Sequence, residues 1–120
     1  MRIAALIVIL GISASNSAKS GELSTTGMGK TTCAEFARLY TEAPAETDRH
    51  FLGWMIGFLS GLNYAATTRG ETARIIGSEE KVSELLRTTC ATHRARNITE
   101  AAWLVYASLP KDFHGPVTRL

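Results

Sequence analysis

Residues 51–68 read FLGWMIGFLSGLNYAATT, 18 consecutive positions without a charge. Whatever this chain folds into must accommodate that run. A stretch of this length is just long enough to be weighed as a membrane-spanning helix. Ser60, Asn63, Tyr64, Thr67 and Thr68 fall inside it, however, and in lipid each polar group would need an internal partner. A helix enclosed by protein costs less. From a start at Asp48, the positions Phe51, Leu52, Trp54, Met55, Ile56, Phe58, Leu59 and Leu62 leave almost no polar side. That pattern predicts a long, apolar central helix wrapped by others. Gly53, Gly57 and Gly61 recur at intervals of four and line one face with bare backbone, at a propensity cost of about 1 kcal/mol each relative to Ala. In a bilayer such spacing would be a dimerisation face. In a small bundle these are helix-packing glycines that admit a crossing helix or a bulky side chain, which is the reading adopted.

Three further segments have helical periodicity, none alternates as a strand, and no internal repeat is present. The expected fold is therefore all-α: a small four-helix domain over residues 32–110. Thr32-Cys33-Ala34-Glu35 fits a T-x-x-E capping box, and Cys33, Phe36, Ala37 and Tyr40 form one stripe up to an exit at Pro44. After a polar connection over residues 67–77, Ser78 caps a third helix, with Glu79 and Glu80 against the positive end of its dipole. Its stripe is Val82, Leu85, Leu86, Thr89 and Cys90. Asn97 and Glu100 form a second capping-box start, after which Ala101, Ala102, Leu104, Val105 and Leu109 run to Pro110. Residues 111–120 carry no helical signal.

The first 20 residues place Arg2 before an uncharged run over residues 3–12, then a small-residue stretch over residues 13–18. This order of basic, apolar and small residues is that of a secretory signal peptide, cut near residues 17–20. The apolar core of ten residues would span about 15 Å as a helix, half of a ~30 Å hydrocarbon layer, which argues against a retained anchor. Residues 21–31, rich in Gly, Ser and Thr, read as a flexible leader. An exported chain meets an oxidising compartment, periplasmic on this reading, and its two cysteines permit a single intramolecular bridge, Cys33–Cys90.

Other chemistry finds little support. Gly27-Met28-Gly29-Lys30-Thr31 resembles the end of a phosphate-binding loop, but Ser24 stands where the pattern needs glycine, and no strand precedes it. Ser60 lacks the glycines of a nucleophile elbow two residues to either side, and it lies within a helical run as a small packing residue. His50, His93 and His114 form no pair at ligand spacing, and zinc would need more ligands than two cysteines and scattered histidines supply. Glu46 and His50, four apart, are a weak basis for a metal site. No catalytic residue, metal or cofactor is expected, so the chain reads as non-enzymatic. A formal net charge of +2 gives no strongly basic stripe for nucleic acid. Arg87, His93, Arg94 and Arg96 cluster at the end of the third helix, where cations suit the negative dipole terminus or an acidic partner. Asn97-Ile98-Thr99 is a glycosylation sequon only in a suitable host.

Taken in order, Thr32-Cys33-Ala34-Glu35-Phe36, the Gly57-Phe58 helix, Cys90 and then Asn97 with a final helix resemble the HdeA/HdeB family of small periplasmic acid-stress chaperones over residues 32–109. The resemblance implies a helical domain bridged by Cys33 and Cys90, a homodimer at neutral pH, which opens in acid and exposes apolar surface to unfolding periplasmic proteins. The expected client or dimer surface is Phe51, Trp54, Met55, Phe58, Leu62 and Trp103, without stable membrane insertion after signal cleavage. Composition permits the acid response. Counted from Lys19, the charge rises from about +1 near neutrality to about +15 once carboxylates are protonated and the three histidines are charged. The alternative is an immunity or inhibitor protein that neutralises a periplasmic toxin such as a type VI secretion amidase.

Overall fold

The structure, a computed structural model, describes residues 26–113. The signal segment, the leader up to residue 25, and the tail from His114 onward lie outside the described residues. Four helices follow in order: α1 (Cys33–Glu42), α2 (Pro44–Thr68), α3 (Glu79–Thr92) and α4 (Ile98–Ser108). Among the described residues there is no strand, only the isolated bridges Thr32 to Asn97 and Arg74 to Lys111.

Helix starts follow the sequence logic closely. Thr32 accepts from the Glu35 amide and Ser78 from the Lys81 amide, each satisfying a donor that has no partner in the first turn. At Asn97 both halves of a capping box form, with Glu100 N–H donating to Oδ1 and Asn97 N–H donating to the Glu100 carboxylate. The box expected at Thr32 is only half made, because the Glu35 carboxylate turns to Arg38 on the next turn instead. The α1 amides it leaves are met from afar: Cys33 N–H donates to the Arg96 carbonyl and Ala34 N–H to that of Arg94.

The second helix begins four residues before the expected Asp48. Pro44 does end α1, but it also opens α2, since a missing amide costs nothing in the first turn and the fixed φ suits a helix. Ala43 alone forms the corner, as C-cap of one helix and N-cap of the other. At the far end Gly70, at φ +73°, supplies the left-handed residue that lets Glu71 N–H reach back to the Ala66 carbonyl.

The core draws on all four helices: Cys33 and Phe36 from α1, Phe51, Met55 and Leu59 from α2, Val82, Leu86 and Cys90 from α3, and Ile98, Ala101, Ala102 and Val105 from α4. Phe36 meets Phe51 edge-on at 5.1 Å between ring centroids, a geometry that sets a ring's positive edge against a negative face. The Cys33–Cys90 disulfide crosses this core from the first residue of α1 to the third-last of α3 and closes a sequence separation of 57. Both cysteines are buried.

Two expectations change. α2 is long and central, but it is not wrapped: only the stripe through Thr47, Phe51, Met55, Leu59 and Ala66 is buried, while Gly53, Gly57, Ser60, Gly61 and Tyr64 are exposed. Three partner helices in a chain this short can cover one side of a 25-residue helix and no more. Part of the leader also belongs to the fold. Gly27–Lys30 forms a 3-10 turn, Thr99 Oγ1 donates to the Gly29 carbonyl at 3.2 Å, and Ile98 N–H donates to Thr31. The lack of periodicity in this stretch reflects its shortness; hydrogen bonds to the Gly29 and Thr31 carbonyls attach it, and Met28 packs against the core.

Candidate functional site

The uncovered side of α2 is the most distinctive surface of the molecule. A Cβ placed on Gly53, Gly57 or Gly61 would meet no atom within 4 Å. The groove expected to admit a crossing helix or a large side chain therefore admits neither among the described residues, because α1, α3 and α4 all gather on the opposite side. Ser60, expected to be a packing residue, is exposed on the same open face for the same reason.

Beside the glycines runs an aromatic ladder. Trp54 and Phe58, one turn apart, stack at 5.2 Å with planes 11° apart. Phe58 meets Trp103 of α4 edge-on at 6.2 Å, and Trp103 meets Tyr106 in the same manner at 6.3 Å. Trp103 is 42% exposed and Tyr64, farther along the open face of α2, is 73% exposed. The lower end of the ladder is anchored by polar bonds. Tyr106 donates its hydroxyl proton to Asn63 Oδ1 at 3.0 Å, and Asn63 exchanges two hydrogen bonds with the Arg74 backbone. The Arg74 guanidinium lies over the Tyr106 ring at 5.7 Å and donates to the Leu109 carbonyl at the end of α4.

Of the residues expected to form a client or dimer surface, the structure brings together Trp54, Phe58 and Trp103, with half-buried Leu62 on the same helix. Phe51 and Met55 do not join them. Both are core residues, 6% and 0% exposed, because they occupy the α2 stripe that faces the other helices. Asn63, marked in the sequence only as a polar group in need of a partner, finds it in Tyr106 and Arg74, which the sequence did not single out. Tyr106 stands three residues after Trp103, a spacing that places both on one helical face, whereas nothing local connects Asn63 to residue 74.

Polar side chains elsewhere are used structurally. Asp48 accepts from Ser83 Oγ of α3 at 2.6 Å and lies 3.4 Å from the Tyr40 hydroxyl of α1, so one carboxylate joins three helices. Arg38 holds Glu35 and Glu42 on the exposed side of α1, and Arg69 holds Glu71. Hydrogen bonding to Arg38 lowers the Glu35 pKa from the usual carboxylate value, and Arg69 does the same for Glu71. His50 approaches Glu46 at 3.7 Å, and the His93 ring lies 3.0 Å from the Thr89 carbonyl. His114 is outside the described residues. Among the described residues no group of three or more His, Cys, Asp or Glu side chains could hold a metal ion. Among them, too, no helix is long and apolar enough to cross a membrane, α2 included.

No family model, curated protein or solved structure matches the chain.

Proposed function

We propose that this chain is a non-enzymatic, HdeA-like stress protein of the periplasm that holds unfolding proteins on the open face of α2 and the adjoining part of α4. The observation that carries the reading is the combination of exposed glycine backbone on α2 and the ladder Trp54, Phe58, Trp103 beside it. Flat aromatic rings beside bare backbone accept apolar segments of varied shape, since they offer contact area without demanding a particular hydrogen-bond pattern. A buried disulfide suits an oxidising compartment and would hold the core together while acid raises the positive charge of the chain.

Acid acts on this framework in an identifiable way. Protonation of Glu35 and Glu71 weakens the hold on Arg38 and releases Arg69, while the rising positive charge of the chain pushes the helices apart. Loosening of the helices around the bridge then uncovers Phe51 and Met55, which the folded domain keeps inside. The test is light scattering from an aggregating periplasmic client at about pH 2.5, where carboxylates are protonated, and at neutral pH, with and without the oxidised protein. Protection confined to acid supports the proposal. Absence of protection at both pH values removes it and leaves the toxin-neutralising alternative to be tested by capture of one defined enzyme at neutral pH.

A further inference from the structure

Sharing no residue with the aromatic ladder, a hollow of about 260 Å³ along α1 and α3 is lined by Phe36, Ala37, Tyr40, Arg87, Ala91 and Arg94, with Cys90 and Thr41 completing its walls. We infer that this groove is a binding site for an acidic peptide segment of a partner protein, taking two carboxylates on Arg87 and Arg94 with apolar side chains between them.

Its chemistry is divided along its length. The floor is apolar, formed by the buried Phe36 ring and the disulfide-bonded Cys90 with two alanines. At one end the Arg87 guanidinium stands over the Tyr40 ring at 5.0 Å, which fixes a flexible side chain against a flat surface. At the other end Arg94 is placed by its own backbone, whose carbonyl accepts from the Ala34 amide at 3.0 Å. Neither guanidinium makes an ion pair within the described residues. The acidic groups of α1 are engaged elsewhere, since Glu35 and Glu42 both bind Arg38, and Glu84 of α3 binds Lys81. Arg87 also borders a neighbouring hollow that contains Asp48, Glu79 and Glu80. The acidic ligand therefore competes best at the Tyr40 side of Arg87, and Arg94 with nearby Arg96 supplies the more strongly positive end.

Size narrows the ligand further. The hollow is below the roughly 300 Å³ at which pockets enclose a whole small molecule, yet it has room for one or two side chains. Arg87 lies on α3 and Arg94 two residues beyond its end at Thr92, so the two cations reach the same hollow from different elements. The groove thus fits a short segment that carries Glu or Asp beside apolar side chains.

The experiment titrates the 15N-labelled oxidised protein, purified as the cell makes it, with the peptide Gly-Glu-Leu-Leu-Glu-Gly blocked at both termini, at low ionic strength. A Gln-for-Glu peptide and phosphatidylglycerol vesicles are titrated in parallel. Saturable amide shifts confined to residues 36–41 and 87–94, weakening as salt is added, are expected, with R87Q and R94Q each lowering affinity about tenfold, as loss of a charge-assisted bond does. R49Q, on an exposed part of α2, is expected to leave affinity unchanged, and circular dichroism checks that each variant keeps its helices. Equal binding of the Gln peptide, shifts elsewhere, or no shifts at all would overturn the proposal. Vesicle binding at these residues without peptide binding would overturn it in favour of a lipid surface.

Discussion

Replacing Gly53, Gly57 and Gly61 together with alanine should make the protein more stable. Each lies inside α2 with ordinary helical backbone, and the added methyl group meets nothing within 4 Å. No contact opposes the gain in helix propensity, which derives mainly from fewer conformations available to the unfolded chain. At about 0.5 to 1 kcal/mol per position the triple variant gains roughly 1.5 to 3 kcal/mol, near-additive because the three methyl groups share no partner. For a domain of this size that corresponds to a rise in Tm on the order of 10 °C. The assay is thermal unfolding followed by circular dichroism at 222 nm, supported by urea midpoints at unchanged m-value. A fall in stability would refute the reasoning, since it would mean that something packs against the glycine backbone in the folded protein. A rise in Tm that depends on protein concentration would also count against it, by showing association instead of propensity at work.

Three other perturbations test the framework. Removing the bridge by C33A/C90A should cost about 4 kcal/mol by the loop-entropy estimate for a separation of 57, and urea unfolding of the variant beside the oxidised protein reads this directly. D48A should cost about 2 kcal/mol, because Ser83 and Tyr40 lose a charged acceptor, and S83A should recover part of that loss in a double-mutant cycle. Glu35 and Glu71 have folded-state pKa values below their unfolded ones, so their contribution is present above the ordinary carboxylate range and disappears as pH falls through the lowered values. E35Q/E71Q should therefore lie slightly below the parent in urea midpoint at neutral pH, with the gap closing as pH falls below the ordinary carboxylate range; both groups are exposed, which keeps the gap small.

Helix existence and the covalent bridge were legible in the sequence because their signals are local. Ser78 and Asn97 announce caps within four residues, and two cysteines admit one pairing. The double role of Pro44 was less visible, since a proline marks a boundary without saying on which side a helix lies. The greatest departure concerned α2. Its composition is compatible with burial on every side, but burial depends on how many partners exist, and that is a property of the whole chain. Half of the expected apolar surface was readable for the same reason: Trp54 and Phe58 sit a turn apart on one flank, while Phe51 and Met55, equally apolar, fall on the stripe that the other helices claim. The Asp48, Ser83 and Tyr40 contacts and the α1–α3 groove join residues from separate helices and have no local signature.

The way α1 begins also governs the order in which the molecule can be completed. Its first two amides are held by the carbonyls of Arg96 and Arg94, and its first side chain is bonded to Cys90. Synthesis delivers Cys33 early and every one of these partners late. Until residues 90–98 have emerged, the first helix has neither its covalent nor its hydrogen-bonded attachment, and its thiol is available to any oxidant or foreign thiol it meets. The backbone clasp and the disulfide then arrive within seven residues of one another, Cys90 to Arg96. Closure of this domain accordingly waits for its last third, and a chain truncated before Cys90 retains a reactive cysteine with no native place to go.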